Sequence, residues 1–317
     1  MHSSYLSENK EDLSSLPCGN CHVKAYETWK SSKHAAAYQD PIYYTALQEQ
    51  KLKWCLPCHV PLEKYQLEGD SHLQGIPTSP SEGITCAVCH IRNGKIYGSK
   101  SMSKKESIHG VEYSKGLRSE NLCAGCHQFG FPKSLSPVVY ESTPMQNTVT
   151  EYKQSGVSKA CHFCHIQGND HSLHLGRKLS DSIQLKITMH NSSDLTFTIK
   201  MSKIGHHFPS GDLFRILTFY VYDKNNQQIY RYDFRKEVRV IDRELLRDST
   251  LKPRKGYAVF SKRIKLKQPV YRCSLVYRPQ GSIDPRLKRE NLLPDTVLFQ
   301  TIYDKPCKEL TNRDTTK

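Results

Sequence analysis

The sequence predicts an α+β fold in two parts. A mostly helical and loop-built module spans residues 18–177, and an antiparallel β-sandwich-like domain spans 178–317. Residues 1–17 read as a flexible polar segment. Three observations carry this expectation. Five copies of Cys-x-x-Cys-His lie within the first 165 residues. Only 37% of the chain is apolar, which is low for one large core. From about Lys178 the apolar residues change to strict alternation, the period of a half-buried strand.

The five motifs are Cys18-x-x-Cys21-His22, Cys55-x-x-Cys58-His59, Cys86-x-x-Cys89-His90, Cys123-x-x-Cys126-His127 and Cys161-x-x-Cys164-His165. Each is a c-type haem attachment signature. The two thiols add to the haem vinyl groups and the adjacent histidine becomes the proximal iron ligand. One such motif could equally be a zinc knuckle. Five, with first cysteines 37, 31, 37 and 38 residues apart, point to five covalently attached haem c groups. Five large apolar macrocycles would stand in for the side-chain core that the first half lacks.

Between the motifs, residues 27–48 have helical composition, broken at Pro41. The Gly/Pro/Ser clusters at 75–81 and 131–137 read as loops. In the second half Ile183, Leu185, Ile187 and Met189 alternate with polar residues, as do Leu195, Phe197, Ile199 and Met201. Asn191 to Asp194 is the turn of that hairpin. Further strands are expected at 213–222, 229–234, 257–264, 271–277 and 297–303, with a turn at 223–226. Seven short strands suit a β-sandwich. Residues 239–247 read as a short helix or an extended crossover.

What a haem does depends on the far side of its iron. A second histidine makes a six-coordinate electron-transfer centre, whereas an open position admits a substrate. Of 15 histidines, five are proximal and ten remain. The distal candidates are His34, His109, His171 and His206, followed by His72, His174 and His207. His171 competes with His174, and His206 with His207. His162 reads as a spacer between two thiols, and His2 and His190 as bystanders. Among the methionines Met102 is the least unsuitable ligand. No catalytic residue is assigned.

The net charge of +15 is unevenly spread. Residues 1–177 hold 18 basic and 16 acidic side chains, and residues 178–317 hold 28 and 15. A basic stripe with aromatic stacking motifs is missing, which argues against nucleic acid. Acidic redox proteins are the expected partners, against the plainer alternative of a solvated basic face. Peripheral contact with a membrane or cell surface and homo-oligomer formation stay open. Haem c is attached outside the bacterial cytoplasm, so a periplasmic or extracellular location is expected. The residues from Met1 to Tyr5 do not form a signal peptide, so an export signal is expected to have been removed or left out. No run of 18 apolar residues exists. Cys273 and Cys307 lie outside the motifs. In an oxidising compartment they could form a disulfide, or remain two buried thiols.

Several stretches resemble multihaem cytochromes related to the nitrifier tetrahaem cytochrome c family. Cys18-x-x-Cys21-His22 with Tyr26, Trp29, Ser32 and His34 is similar to the opening of that family. Cys55-Leu56-Pro57-Cys58-His59-Val60-Pro61-Leu62 resembles its second haem segment, and Glu82-Gly83-Ile84-Thr85-Cys86 its third. Cys123-Ala124-Gly125-Cys126-His127-Gln128, and Tyr152 and Ser155 before Cys161, are similar too. Gly205-His206-His207-Phe208-Pro209-Ser210-Gly211 resembles the Gly-His-x-x-Pro-Thr-Gly turn of a β-domain in some members, with serine replacing the commoner threonine. The resemblance covers about residues 18–225. It implies closely stacked, mostly bis-histidine haems and supports His34, His171 and His206 as axial ligands. The expected function is electron transfer more than catalysis. A small-molecule oxidoreductase acting on nitrite, hydroxylamine or a sulfur oxyanion at one open haem is the alternative, and a subunit of an extracellular conductive assembly is another. The Cys-x-x-Cys-Lys motif of pentahaem nitrite reductases does not occur.

Overall fold

A computed structural model describes residues 15–40, 43, 55–61, 82–103, 105, 109–135, 138–173, 179–239, 242–279 and 300–307. The chain forms two compact units. The first is Met1–Ser142 with Ser158–Gly176, and the second is Thr143–Val157 with Arg177–Lys317. The segment Thr143–Val157, which precedes the fifth motif in sequence, therefore groups with the strands.

The first unit is built from short helices of four to eight residues. Helices α1 (Leu16–Gly19), α3 (Leu56–His59), α4 (Cys86–His90), α5 (Glu120–His127) and α7 (Cys161–His165) each carry or adjoin one Cys-x-x-Cys-His motif. A helical turn puts residues i and i+3 on one face, so this spacing presents both thiols to the same side. Helix α2 (Val23–Lys30) packs Trp29 inward, and its indole Nε1 donates to the Ile84 carbonyl at 2.8 Å. That bond ties the first motif's segment to the third's.

Helix α2 ends at Lys30, short of the stretch expected from composition. The reason is local. Ser31 Oγ donates to the Thr28 carbonyl at 2.8 Å, and Ser32 Oγ accepts from Ala35 N at 3.1 Å. Hydroxyls that bond the nearby backbone offer it an alternative to the helix. Most of 41–48, the loop expected at 75–81, and residues 1–14 lie outside the described residues. Residues 131–137 do not read as the expected loop throughout. They contribute to strand β4 (Gln128–Leu135), which pairs with β5 (Val138–Asn147). The aromatics Phe129, Phe131 and Tyr140 outweigh Gly130 and Pro132 there. A further small sheet joins β1 (Ile91–Arg92), β2 (Lys95–Gly98) and β3 (Glu112–Tyr113).

In the second unit the alternation becomes two antiparallel sheets. One has the order β12-β7-β6, from β12 (Tyr257–Lys265), β7 (Asp194–Ser202) and β6 (Ile183–Asn191). The other has the order β14-β13-β8-β9, from β14 (Gln300–Pro306), β13 (Arg272–Arg278), β8 (Ile216–Tyr222) and β9 (Gln228–Phe234). The β6–β7 hairpin closes at Asn191 and Asp194, as expected. The turn after β8 closes with Asp223 Oδ1 accepting from Asn225 N and Gln227 N. In place of a helix or crossover at 239–247, short strands β10 (Lys236–Val238) and β11 (Leu245–Asp248) pair as a hairpin. Both larger sheets feed one apolar core that includes Phe197, Ile199, Phe219, Val221, Phe234 and Leu275. The Phe197 and Phe219 rings stack at 4.2 Å. Cys273 and Cys307 form a disulfide within it, deciding between the two sequence alternatives. Helix α6 (Thr148–Ser155) completes this unit and ends on Gly156 in the left-handed conformation that glycine adopts without strain.

The side-chain core of the first unit is small. Its buried cluster among the described residues is Tyr38, Tyr43 and Val60, with Cys55 and Leu56 against it. Among the described residues no helix is long and apolar enough to cross a membrane.

Candidate metal centres

Motif histidines meet other histidines in twos. His22 faces His109 with ring centres 6.1 Å apart, His127 faces His34 at 6.1 Å, and His90 faces His171 at 6.2 Å. Metal–imidazole nitrogen bonds run about 2.0–2.1 Å and the ring centre lies roughly 1 Å further on, so two imidazoles on one ion have centres about 6 Å apart. All three separations fit that span. A zinc site would need three or more ligands converging, and among the described residues no such group of His, Cys, Asp and Glu occurs.

The remaining ring nitrogens are held by backbone. Nδ1 of His90 lies 2.9 Å from the Tyr97 carbonyl, that of His59 2.7 Å from Ala37, and that of His165 3.1 Å from Leu173. His109 does the same with Gly110 at 2.8 Å, and His206 with His207 at 2.7 Å. A carbonyl accepting from Nδ1–H fixes the tautomer and leaves the lone pair on Nε2, the arrangement that metal-ligating histidines adopt. Burial, then the nearby His127 and His165, push His34 down to about 4. Burial also lowers His59 and His90. These rings are therefore neutral near pH 7, as a metal ligand must be.

The thiols link the motifs. Cys18 and Cys86 lie within hydrogen-bonding reach, as do Cys58 and Cys126, and Cys123 and Cys161. The first motif thus meets the third, the second meets the fourth, and the fourth meets the fifth. Cys21 is exposed, and Cys18, Cys55, Cys58, Cys86, Cys89, Cys123, Cys126, Cys161 and Cys164 are half-buried, accessible for covalent attachment.

Of the seven distal candidates, His34, His109 and His171 each stand opposite a motif histidine. His206 holds the same tautomer-fixing bond. His207 is buried beside Glu151, with Nδ1 4.0 Å from its Oε1. His72 and His174 lie outside the described residues. Met102 is exposed and forms a backbone bridge with Val111. Sequence reasoning missed Tyr43. Its ring stacks on His59 at 3.8 Å and 4°, and its buried hydroxyl has no hydrogen-bond partner among the described residues. A lone tyrosine in a helix-like stretch gives no signal of that role.

A family model described as cytochrome c554 and c-prime matches residues 17–91. The match supports a c-type cytochrome. It spans the first three Cys-x-x-Cys-His motifs and His34, the stretch in which Trp29 joins the first segment to the third. Electron transfer is the activity that a cytochrome of this type carries, and covalent haem c is its cofactor. No curated protein and no solved structure matches the chain.

Proposed function

We propose that this chain is an exported pentahaem electron carrier whose haems are mostly bis-histidine. The observation that carries the proposal is the three histidine pairs at 6.1–6.2 Å. In this reading Cys18/Cys21, Cys55/Cys58, Cys86/Cys89, Cys123/Cys126 and Cys161/Cys164 hold the five haems, with His22, His59, His90, His127 and His165 as proximal ligands. His109, His34 and His171 are the distal ligands of the first, fourth and third haems. When bound, the haems supply reversible one-electron iron chemistry. The protein's contribution is axial ligand, burial and nearby charge, which together set each potential. His206, with Nδ1 tied to His207, is a further iron ligand. The contacts between thiols of different motifs support close packing of the first haem with the third, and of the fourth with the second and the fifth. The two sheets of the second unit are read as a β-sandwich. The disulfide and the haem c motifs support a periplasmic or extracellular location. The basic second half supports acidic redox partners, which it would steer by charge.

Low-temperature EPR of the oxidised protein tests this. Low-spin ferric signals should dominate and include those of three bis-histidine haems. High-spin signals from three or more haems would overturn it. Intact mass should show five haems per chain.

A second reading rests on one observation. Among the described residues the ring against His59 is Tyr43, whereas three other motif histidines each face an imidazole. That favours the second haem as the open position of a small-molecule oxidoreductase. Rapid cyanide or nitric oxide binding to one haem, with turnover of nitrite or hydroxylamine, would support it. Absence of both would leave the carrier.

A further inference from the structure

Tyr43 is buried, and its ring lies face to face with that of His59, the centres 3.8 Å apart and the planes 4° from parallel. It does not stand across an ion from His59. Two rings on opposite sides of one ion have centres about 6 Å apart, as the three histidine pairs do. Tyr43 therefore stacks beside the imidazole, against its π face. The stretch between the first two motifs grips His59 twice: the Ala37 carbonyl accepts from Nδ1 at 2.7 Å, and Tyr43 covers the ring. Both ends of the grip are anchored. The Ala35 and His34 carbonyls accept from Gly83 N and Ile84 N, each at 2.9 Å, and a Cβ on Gly83 would meet Ala37 Cβ at 2.7 Å. Tyr43 N donates to Asp40 Oδ1 at 3.3 Å, and the buried Tyr38 ring packs edge-on against Tyr43 at 6.1 Å and 65°.

This geometry is a poor one for two neutral rings. Aromatic pairs prefer offset or edge-on contacts, because two electron-rich faces repel. With 3.8 Å between centres, little offset is left. The face of a tyrosine ring does attract positive charge. An imidazole becomes more positive when its Nε2 lone pair is given to a metal ion, and more so the higher the charge of that ion. The stack thus suits a ligated His59 better than a free one, and a ferric centre better than a ferrous one. The phenol hydroxyl plays no part in this: it is buried and has no hydrogen-bond partner among the described residues.

We propose that Tyr43 is a positioning residue for the second haem: its ring fixes the plane of His59 and, through that imidazole, favours the oxidised iron, lowering the potential of this haem. Axial ligand and nearby charge are the levers by which a protein sets such a potential. This rests on the reading of His59 as a proximal ligand, and it holds whether the second haem is a relay or an open site. Oxidation moves one electron from the iron to the redox partner and leaves the phenol unchanged. Tyr43 acts through His59 alone.

Potentiometric titration of the full haem-loaded chain, followed by visible and EPR spectroscopy, compares wild type with Y43F, Y43L and H59A, with haem content checked by mass. H59A identifies the second haem by the ferric signal that changes or is lost. Y43L keeps apolar bulk but no π face. It should raise the midpoint potential of that haem and broaden its ferric EPR lines, with the other haems unmoved. Y43F keeps the ring and loses only the unpaired hydroxyl, so it should stay at the wild-type potential. If Y43L does not accumulate, Y43M carries the same expectation. A potential at or below wild type in Y43L, beside an altered signal in H59A, would overturn the role of Tyr43 and leave His59 as the ligand. A shift in Y43F as large as that in Y43L would assign the effect to the hydroxyl and overturn it too. A wild-type spectrum in H59A with every haem attached would overturn the ligand reading, and the proposal with it.

Discussion

A histidine becomes a metal ligand through its second nitrogen. The backbone carbonyls of Ala37, Tyr97, Gly110, Leu173 and His207 each engage an Nδ1, so Nε2 carries the lone pair in five rings. The carbonyls of Ala37, Tyr97 and Leu173 are not visible in the sequence, because each depends on where a loop returns, whereas Gly110 and His207 each directly follow their histidine. The candidates themselves can be named from the sequence: His34, His109 and His171 are among the ten histidines outside the motifs, and the resemblance supports His34 and His171. Replacing any of the three by alanine should turn one low-spin haem high-spin and leave the others unchanged. A spectrum identical to wild type in all three variants would refute the pairing. Elsewhere, Arg263 Nε and Nη2 donate to Asp194 at 3.0 and 2.7 Å and hold its carboxyl below the usual aspartate range. A depressed carboxyl stabilises the fold above its ordinary value of about 4, and that contribution fades as pH falls through the lowered value. D194N should therefore be less stable than wild type at pH 6, with the gap closing below about pH 4. A gap that persists unchanged to pH 2 would contradict this.

At the scale of elements, the second unit was readable because strand burial imposes a period of two. Leu195, Phe197, Ile199 and Met201 all reach the core from β7. Where burial is shared with other groups, that signal weakens. The β4–β5 pair went unread because Gly130 and Pro132 resemble loop residues, and the burial of Glu151 gave no sign because a glutamate on a short helix ordinarily faces water. Phe197→Ala should cost about 3–5 kcal/mol, since it removes a fully buried ring stacked on Phe219. Chemical denaturation followed by tyrosine fluorescence measures it, and a loss under 1 kcal/mol would show that the two sheets do not share this core. The Cys273–Cys307 bridge closes a loop with a sequence separation of 34. Replacing both cysteines by alanine should lower stability by roughly 2–4 kcal/mol.

For the molecule as a whole, the two units differ in what holds them together. The second has a continuous apolar core, whereas the first has a buried cluster of Tyr38, Tyr43 and Val60 among the described residues. Protein made without haem attachment should keep a protease-resistant core that includes Thr143–Val157 and the strands after residue 177, and lose the rest. Equal resistance of both halves would show that the first unit folds without its cofactors. The charge difference between the halves follows directly from the sequence, and association with the proposed acidic partners should weaken steeply with salt.

The paired histidines are 87, 93 and 81 residues apart along the chain. Each proposed iron is thus also a cross-link that closes a loop as long as a small domain. In the proposed pairing His171, which follows the fifth motif, completes the centre begun at the third. Maturation in that reading is ordered: no coordination sphere at the third motif would close until the chain had passed residue 171. A chain cut just after His165 would keep every attachment site and still leave an earlier iron without its partner.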